Sequence, residues 1–174
     1  MTDGVLNQWQ RFVCLYCANG NTVKRWGGWS PAAWAELARG LWGALDLDGF
    51  ALLGAGWDRR FADRVIQGMP KELPLLDLVG QLSLAGTLHV LRRGLYLVAF
   101  ASGIPILATV MRVPNLMLYP ACLERLMAAW PPADMTESGA HKATGFCDPA
   151  LALDWIVNGY GIKEQVDGTR AGHD

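Results

Sequence analysis

Apolar residues along this chain gather in short unbroken runs, and the segments between the runs carry helical spacing. Phe12–Cys17, Gly49–Leu53, Leu75–Val79, Leu95–Phe100 and Leu116–Tyr119 are such runs, with Asp77 as the one charge among them. They lack the polar alternation of a half-exposed strand and so read as strands buried on both faces. Between the first two, Ser30-Pro31 opens a helix, with serine as N-cap and proline at the first helical position. Trp34, Leu37, Ala38, Leu41, Trp42 and Leu45 then fall on one helical face.

The pattern repeats down the chain. A helix from about Asp58 to Gln67 stops before Gly68 and Pro70. Ser83 caps another, which runs through Arg92 and Arg93, where positive charge suits a C-terminal end. Ile104–Met111 is a further helix. Beyond Tyr119 the periodicity weakens: Leu123–Trp130 reads as a short helix, and 131–145, rich in Pro, Gly, Ser and Thr, as a loop. Asp148-Pro149 starts a last helix to about Tyr160, and a polar tail follows from Lys163.

Strands alternating with helices predict an α/β fold, a doubly wound, Rossmann-like parallel sheet of five or six strands with helices on both faces. Residues 1–162 form one domain in this reading and 163–174 its tail. Ligands of such sheets bind beyond the C-terminal ends of the strands. The loops expected there are 18–29, 54–57 and 101–105.

Composition agrees with this layout. Of 174 residues, 52% are hydrophobic and 18% charged, which suits a middle layer covered on both sides. A net charge of −1 without a basic stripe argues against a nucleic-acid partner. The first ten residues lack the basic-then-apolar order of a signal peptide. Gly94–Met111 is uncharged and just long enough to span a bilayer, but Ser102, Gly103 and Pro105 interrupt it, so strand, turn and helix fit better than a transmembrane segment. Cys14 and Cys17 have the spacing of a metal knuckle but, on a strand, point to opposite faces; no metal site is expected.

Candidate chemistry sits in the predicted rim loops. Ser102, Gly103 and Ile104 lie where a strand turns into a helix. A helix start offers unpaired N–H groups and partial positive charge to a phosphate; equally, Gly103 permits a tight turn and Ser102 caps the helix. Lys24 and Arg25 either neutralise a diphosphate or are solvated loop charges. Trp26, Trp29 and Trp57 suit stacking on a base or sugar, an interface, or local core beneath a loop. Asp58 follows Trp57. Gly54 and Gly56 lack the third glycine of a dinucleotide fingerprint. No catalytic triad, HExxH or Walker motif is present, and His89, His141 and His173 are scattered.

Four elements, in order, resemble the C-terminal, donor-binding domain of GT-B glycosyltransferases, closest to the ADP-heptose:lipopolysaccharide heptosyltransferases of glycosyltransferase family 9. They are Lys24-Arg25-Trp26, 52-LLGAGWD-58, 77-DLVGQLSL-84, and Ser102-Gly103 followed by Val113-Pro114 and Tyr119-Pro120. The resemblance implies a nucleotide-sugar donor such as ADP-heptose, no metal, a role in lipopolysaccharide biosynthesis, and a cytoplasmic location or one peripheral to the inner face of the membrane. It implies that Lys24, Ser102, Gly103 and Ile104 contact the donor diphosphate. Gly54, Gly56, Asp58, Leu82 and Ser83 would border the nucleoside. Two departures stand out: the family's Asn-Asp before Ser-Gly is Phe100-Ala101 here, and its histidine is Ile106. The acceptor domain has no counterpart in these residues, so the expected partner is an acceptor-domain polypeptide or a second copy of the chain. The alternative is a degenerate domain kept as a binding or assembly module.

Overall fold

The structure, a computed structural model, describes residues 8–17, 28–127 and 141–159. Six strands form one parallel sheet in the order β3-β2-β1-β4-β5-β6. They are β1 Phe12–Tyr16, β2 Gly49–Leu53, β3 Leu75–Asp77, β4 Tyr96–Phe100, β5 Asn115–Tyr119 and β6 His141–Gly145. The helices are α1 Pro31–Ala44, α2 Arg59–Gly68, α3 Leu84–Arg93, α4 Gly103–Val110, α5 Glu124–Met127 and α6 Pro149–Asp154, the last followed by a π-helical turn over Trp155–Gly159. The chain starts at the sheet centre, winds out to β3, then returns to β4 beside β1. That is the doubly wound topology, with its switch point between β1 and β4.

Alternation along the central strands divides the core in two. Val13, Leu15 and Cys17 face α1, α2 and α6, with Trp34, Leu41, Phe61, Val65 and Ile156 in the same cluster. Phe12 and Cys14 face the opposite side, with Val90, Leu91 and Ala108 of α3 and α4. Cys14 and Cys17 therefore lie on opposite sides of the sheet, as their spacing requires. No group of three or more metal-ligating side chains occurs among the described residues. Gly94–Met111 resolves into β4, a turn and α4, and no helix among the described residues is long and apolar enough to cross a membrane.

The predicted caps are made by their own side chains. Ser30 Oγ accepts from Ala33 N at 3.2 Å, Ser83 Oγ from Gly86 N at 3.1 Å and Asp148 Oδ1 from Ala150 N at 2.8 Å. Three boundaries or elements depart from the sequence reading. The third strand ends at Asp77 rather than Val79, because Gly80, at φ 72°, turns the chain back over Gly56. The residues 141–145 form the edge strand β6 rather than the end of a loop. Its register, Asn115↔His141 to Tyr119↔Gly145, pairs the outer edge of β5. An edge strand has only one paired side and needs no continuous apolar run, so the apolar-run criterion misses it. The last helix is interrupted after Asp154 by the π turn. Of the predicted helix 123–130, Leu123 ends a 3-10 turn and Glu124–Met127 form α5; residues 128–130 and the polar tail 163–174 lie outside the described residues.

Candidate functional site

The C-terminal ends of β1, β2 and β4 surround a cleft of about 430 Å³ at the topological switch point. Tyr16 forms its floor at the end of β1, Trp57 and Asp58 come from the β2–α2 turn, and Phe100 to Ile104 from the β4–α4 turn. Leu84 and Leu107 close its apolar walls.

Each contributor is held from beneath. Ala101 N donates to Leu118 O at 2.7 Å, which ties the start of the β4–α4 turn to the sheet. Ser102 is then the N-cap of α4 by backbone position, but its side chain makes no capping bond, and its Oγ is buried without a hydrogen-bond partner. Gly103 and Ile104 open the helix, so their N–H groups have no intrahelical acceptor. Pro105, next in line, has no N–H to offer. A Cβ built on Gly103 meets nothing within 4 Å, so the backbone there is open to the cleft. The α4 N-terminus supplies partial positive charge at the same point.

The β2–α2 turn is fixed by the motif that follows β3. Gly80 N donates to Gly54 O at 2.8 Å and Leu78 N to Leu52 O at 2.9 Å. Arg59 Nη1 grips both oxygens of Asp77, at 2.7 and 3.0 Å, while its Nε meets Asp63 at 2.8 Å. Within the turn, Ala55 N donates to Asp58 Oδ2 at 2.8 Å. The other carboxylate oxygen, Oδ1, is buried without a hydrogen-bond partner, and the residue is 4% exposed. Burial raises the Asp58 pKa above its usual 3.8, and the Ala55 N–H and the Tyr16 hydroxyl only partly offset this. Folding therefore favours the acid form: this residue's contribution is most favourable at low pH and is lost as pH rises from 3.8 through the folded value. The Tyr16 phenol is pushed up to about 12, first by burial and then by the Asp58 charge. Burial and the same charge also raise the Cys17 thiol.

The cleft thus unites Asp58, Trp57, Ser102, Gly103 and Ile104 of the residues singled out in the sequence. Gly54 and Gly56 do not line it; they shape the turn that carries Asp58. Leu82 packs partly buried against the α3 and α4 side of the core, and Ser83 is committed to its cap. Trp57 is 79% exposed on the rim. Trp29 is not on the rim. It is buried, packs edge-on against Trp34 at 5.1 Å and donates its indole N–H to Cys147 O at 2.6 Å. Among its possible roles, local core is the one it fills. Lys24 and Trp26 lie outside the described residues. Sequence reasoning missed Tyr16 and Leu84; Tyr16's place as last residue of a central strand is the signal that could have found it.

A second cleft, of about 340 Å³, opens beyond β5 and β6 between Gly28, Tyr119, Glu124 and Phe146.

No protein-family model and no curated protein matches the chain. Among solved structures, it is similar to Escherichia coli ADP-heptose lps heptosyltransferase II, with a TM-score of 0.69 and 17% identity over 94% of this chain and 52% of that one. It is also similar to the glycosyl transferase family 9 structure from Veillonella parvula DSM 2008, with a TM-score of 0.57 and 17% identity over 91% of this chain and 44% of that one. The chain spans about half the length of each. At such identities the likeness is one of fold: the chain has a Rossmann-like α/β fold similar to the matching half of these two glycosyltransferase structures.

Proposed function

We propose that the cleft at the switch point is a nucleotide-sugar donor site and that this chain acts as the donor-binding half of a heptosyltransferase-like glycosyltransferase. The observation that carries this reading is the start of α4, which faces the cleft with an uncommitted Ser102 hydroxyl and an unobstructed Gly103 backbone. A diphosphate seated there accepts from the Gly103 and Ile104 N–H groups and from Ser102 Oγ. Charge is stabilised by fixed dipoles rather than by a metal. The exposed Trp57 ring and the walls at Leu84 and Leu107 offer apolar surface to the nucleoside or sugar. Lys24 would add a cation to the diphosphate, as the resemblance implies. Transfer needs an acceptor site, which in this proposal comes from an acceptor-domain polypeptide or further domain like the half of the relatives that this chain does not match. All four cysteines are free, in keeping with a reducing, cytoplasmic compartment.

Titration calorimetry with ADP, UDP, GDP and their sugars tests this reading. One nucleoside diphosphate should bind with a Kd of roughly 10–500 μM, in the range of about −4 to −7 kcal/mol expected of a half-site. Failure of all of them to bind at millimolar concentration would remove the proposal.

A second reading is favoured by one feature. Ala101 and Ile106 stand where the resemblance places an acid and an imidazole, and Ile106, Trp57 and Leu84 are exposed apolar residues. Here the domain is a binding or assembly module without turnover, and the rim is its partner surface. Transferase activity on addition of an acceptor half, abolished by Lys24→Ala, would exclude it.

A further inference from the structure

We propose that an anion entering this cleft brings a proton with it, and that the proton lands on Asp58. The inference rests on the donor-site reading and adds to it how the site tolerates a buried carboxyl group beside a phosphate.

Asp58 and the start of α4 line the same cleft, so a carboxylate and a bound diphosphate would share one small, partly apolar space. Asp58 Oδ2 is occupied by the Ala55 N–H, whereas Oδ1 is buried with no partner. The groups around Asp58 only partly favour its ionised form. From β1, Tyr16 keeps its proton at neutral pH and its hydroxyl, like the Ala55 N–H, favours the carboxylate without outweighing burial; Cys17, the other β1 neighbour, is an acid with no positive charge to give. From the ends of β2 and β3, the neighbours are Gly54 and Val79, neither titratable. The β4–α4 wall, Phe100 to Ile104, carries no charge, and α3 contributes Leu84. Arg59, the next residue, is turned to Asp63 and Asp77. Among the described residues, no cation faces the Asp58 carboxyl.

Burial already holds Asp58 above the ordinary carboxylate range. A second negative charge in the cleft pushes it further the same way. The step balances simply: a proton leaves solvent, binds Asp58 Oδ1 and neutralises one negative charge in the cleft. The acid then carries an O–H where the carboxylate had only lone pairs, so the unpartnered oxygen changes from acceptor to donor as the charge is removed.

Calorimetry of ADP binding in buffers of different ionisation enthalpy counts the protons. Asp58→Asn is the reference, because its amide oxygen can still accept from Ala55 N and its NH₂ takes the place of the acid O–H. The titration of ADP itself is common to both proteins. The wild type should take up more protons per ADP than the variant at the pH where Asp58 titrates, at most about 0.5 when ADP raises that titration by about one pH unit. As pH rises through the same titration its affinity should fall by up to about tenfold more than the variant's, as a single linked proton requires. As a check that does not depend on the variant folding, the Asp58 carboxyl carbon signal of the wild-type chain, followed by NMR, should titrate at higher pH with ADP than without. ADP binding with equal proton counts, or an Asp58 titration unmoved by ADP, overturns this inference and leaves the donor site standing. If ADP does not bind, the nucleoside diphosphate that does is used in its place, and absence of binding by all of them overturns both.

Discussion

Gly103→Glu is expected to fold normally and to bind ADP at least about tenfold more weakly than the native chain, a loss of about 1.4 kcal/mol or more. Normal folding follows from the space around the position: the added Cβ meets nothing within 4 Å, and the residue is exposed. A carboxylate in the first turn of a helix is itself stabilising by about 0.3–1 kcal/mol. Weaker binding follows from the same placement. The glutamate occupies the positive end of α4 and repels a second anion there; at ~6 Å with an effective dielectric of ~20 that repulsion is on the order of 3 kcal/mol before solvent screening reduces it. Thermal unfolding and calorimetry on one preparation separate the two effects. A variant with native Tm and native ADP affinity would place the phosphates elsewhere.

Trp34→Ala carries the largest expected effect on stability, about 3–5 kcal/mol. Trp34 is 1% exposed on the inner face of α1, and Trp29 packs against it edge-on. Removing the indole leaves a cavity that the sheet and α2 cannot close, and it strips Trp29 of its ring partner. For a domain whose whole stability is of order 5–15 kcal/mol, roughly, this is a large fraction. Far-ultraviolet circular dichroism in urea should show a midpoint lowered by roughly 1–3 M at an unchanged slope, given m-values of about 1–3 kcal/mol/M. Trp57→Ala provides the contrast. Its side chain is exposed on the cleft rim, so its loss should move stability by no more than about 0.5 kcal/mol.

The contrast between these two tryptophans marks where sequence reading ends. Strand and helix order, the three side-chain caps and the position of the β4–α4 turn were all legible, because each rests on local pattern or local hydrogen bonding. The strand β6 was not, because an edge strand is specified by the unpaired edge of β5 rather than by its own composition. Trp29 lies beside a loop in sequence, yet it is drawn into the core by Trp34 and by a carbonyl 118 residues away, at Cys147. Nothing local announces that contact. The element 77-DLVGQLSL-84 was legible as a motif, but the structure gives most of its letters architectural work. Asp77 grips Arg59, Gly80 turns back over Gly56, and Ser83 caps α3. Its link to the cleft is indirect, through the turn that aims Asp58, with Leu84 alone reaching the wall. Ser102 went the other way. Its sequence position suits an ordinary cap, and the structure leaves its hydroxyl unused.

Donor binding by this chain requires an anionic nucleotide to seat at the start of α4. The most direct measurement is a backbone amide NMR titration of the ¹⁵N-labelled chain with ADP. Saturable shifts are expected, largest at the Gly103 and Ile104 amides, with the Trp57 indole N–H moving in parallel. Shifts confined to Gly28, Tyr119 and Gly145 around the second cleft, or no saturable shift at all, would contradict a donor site there.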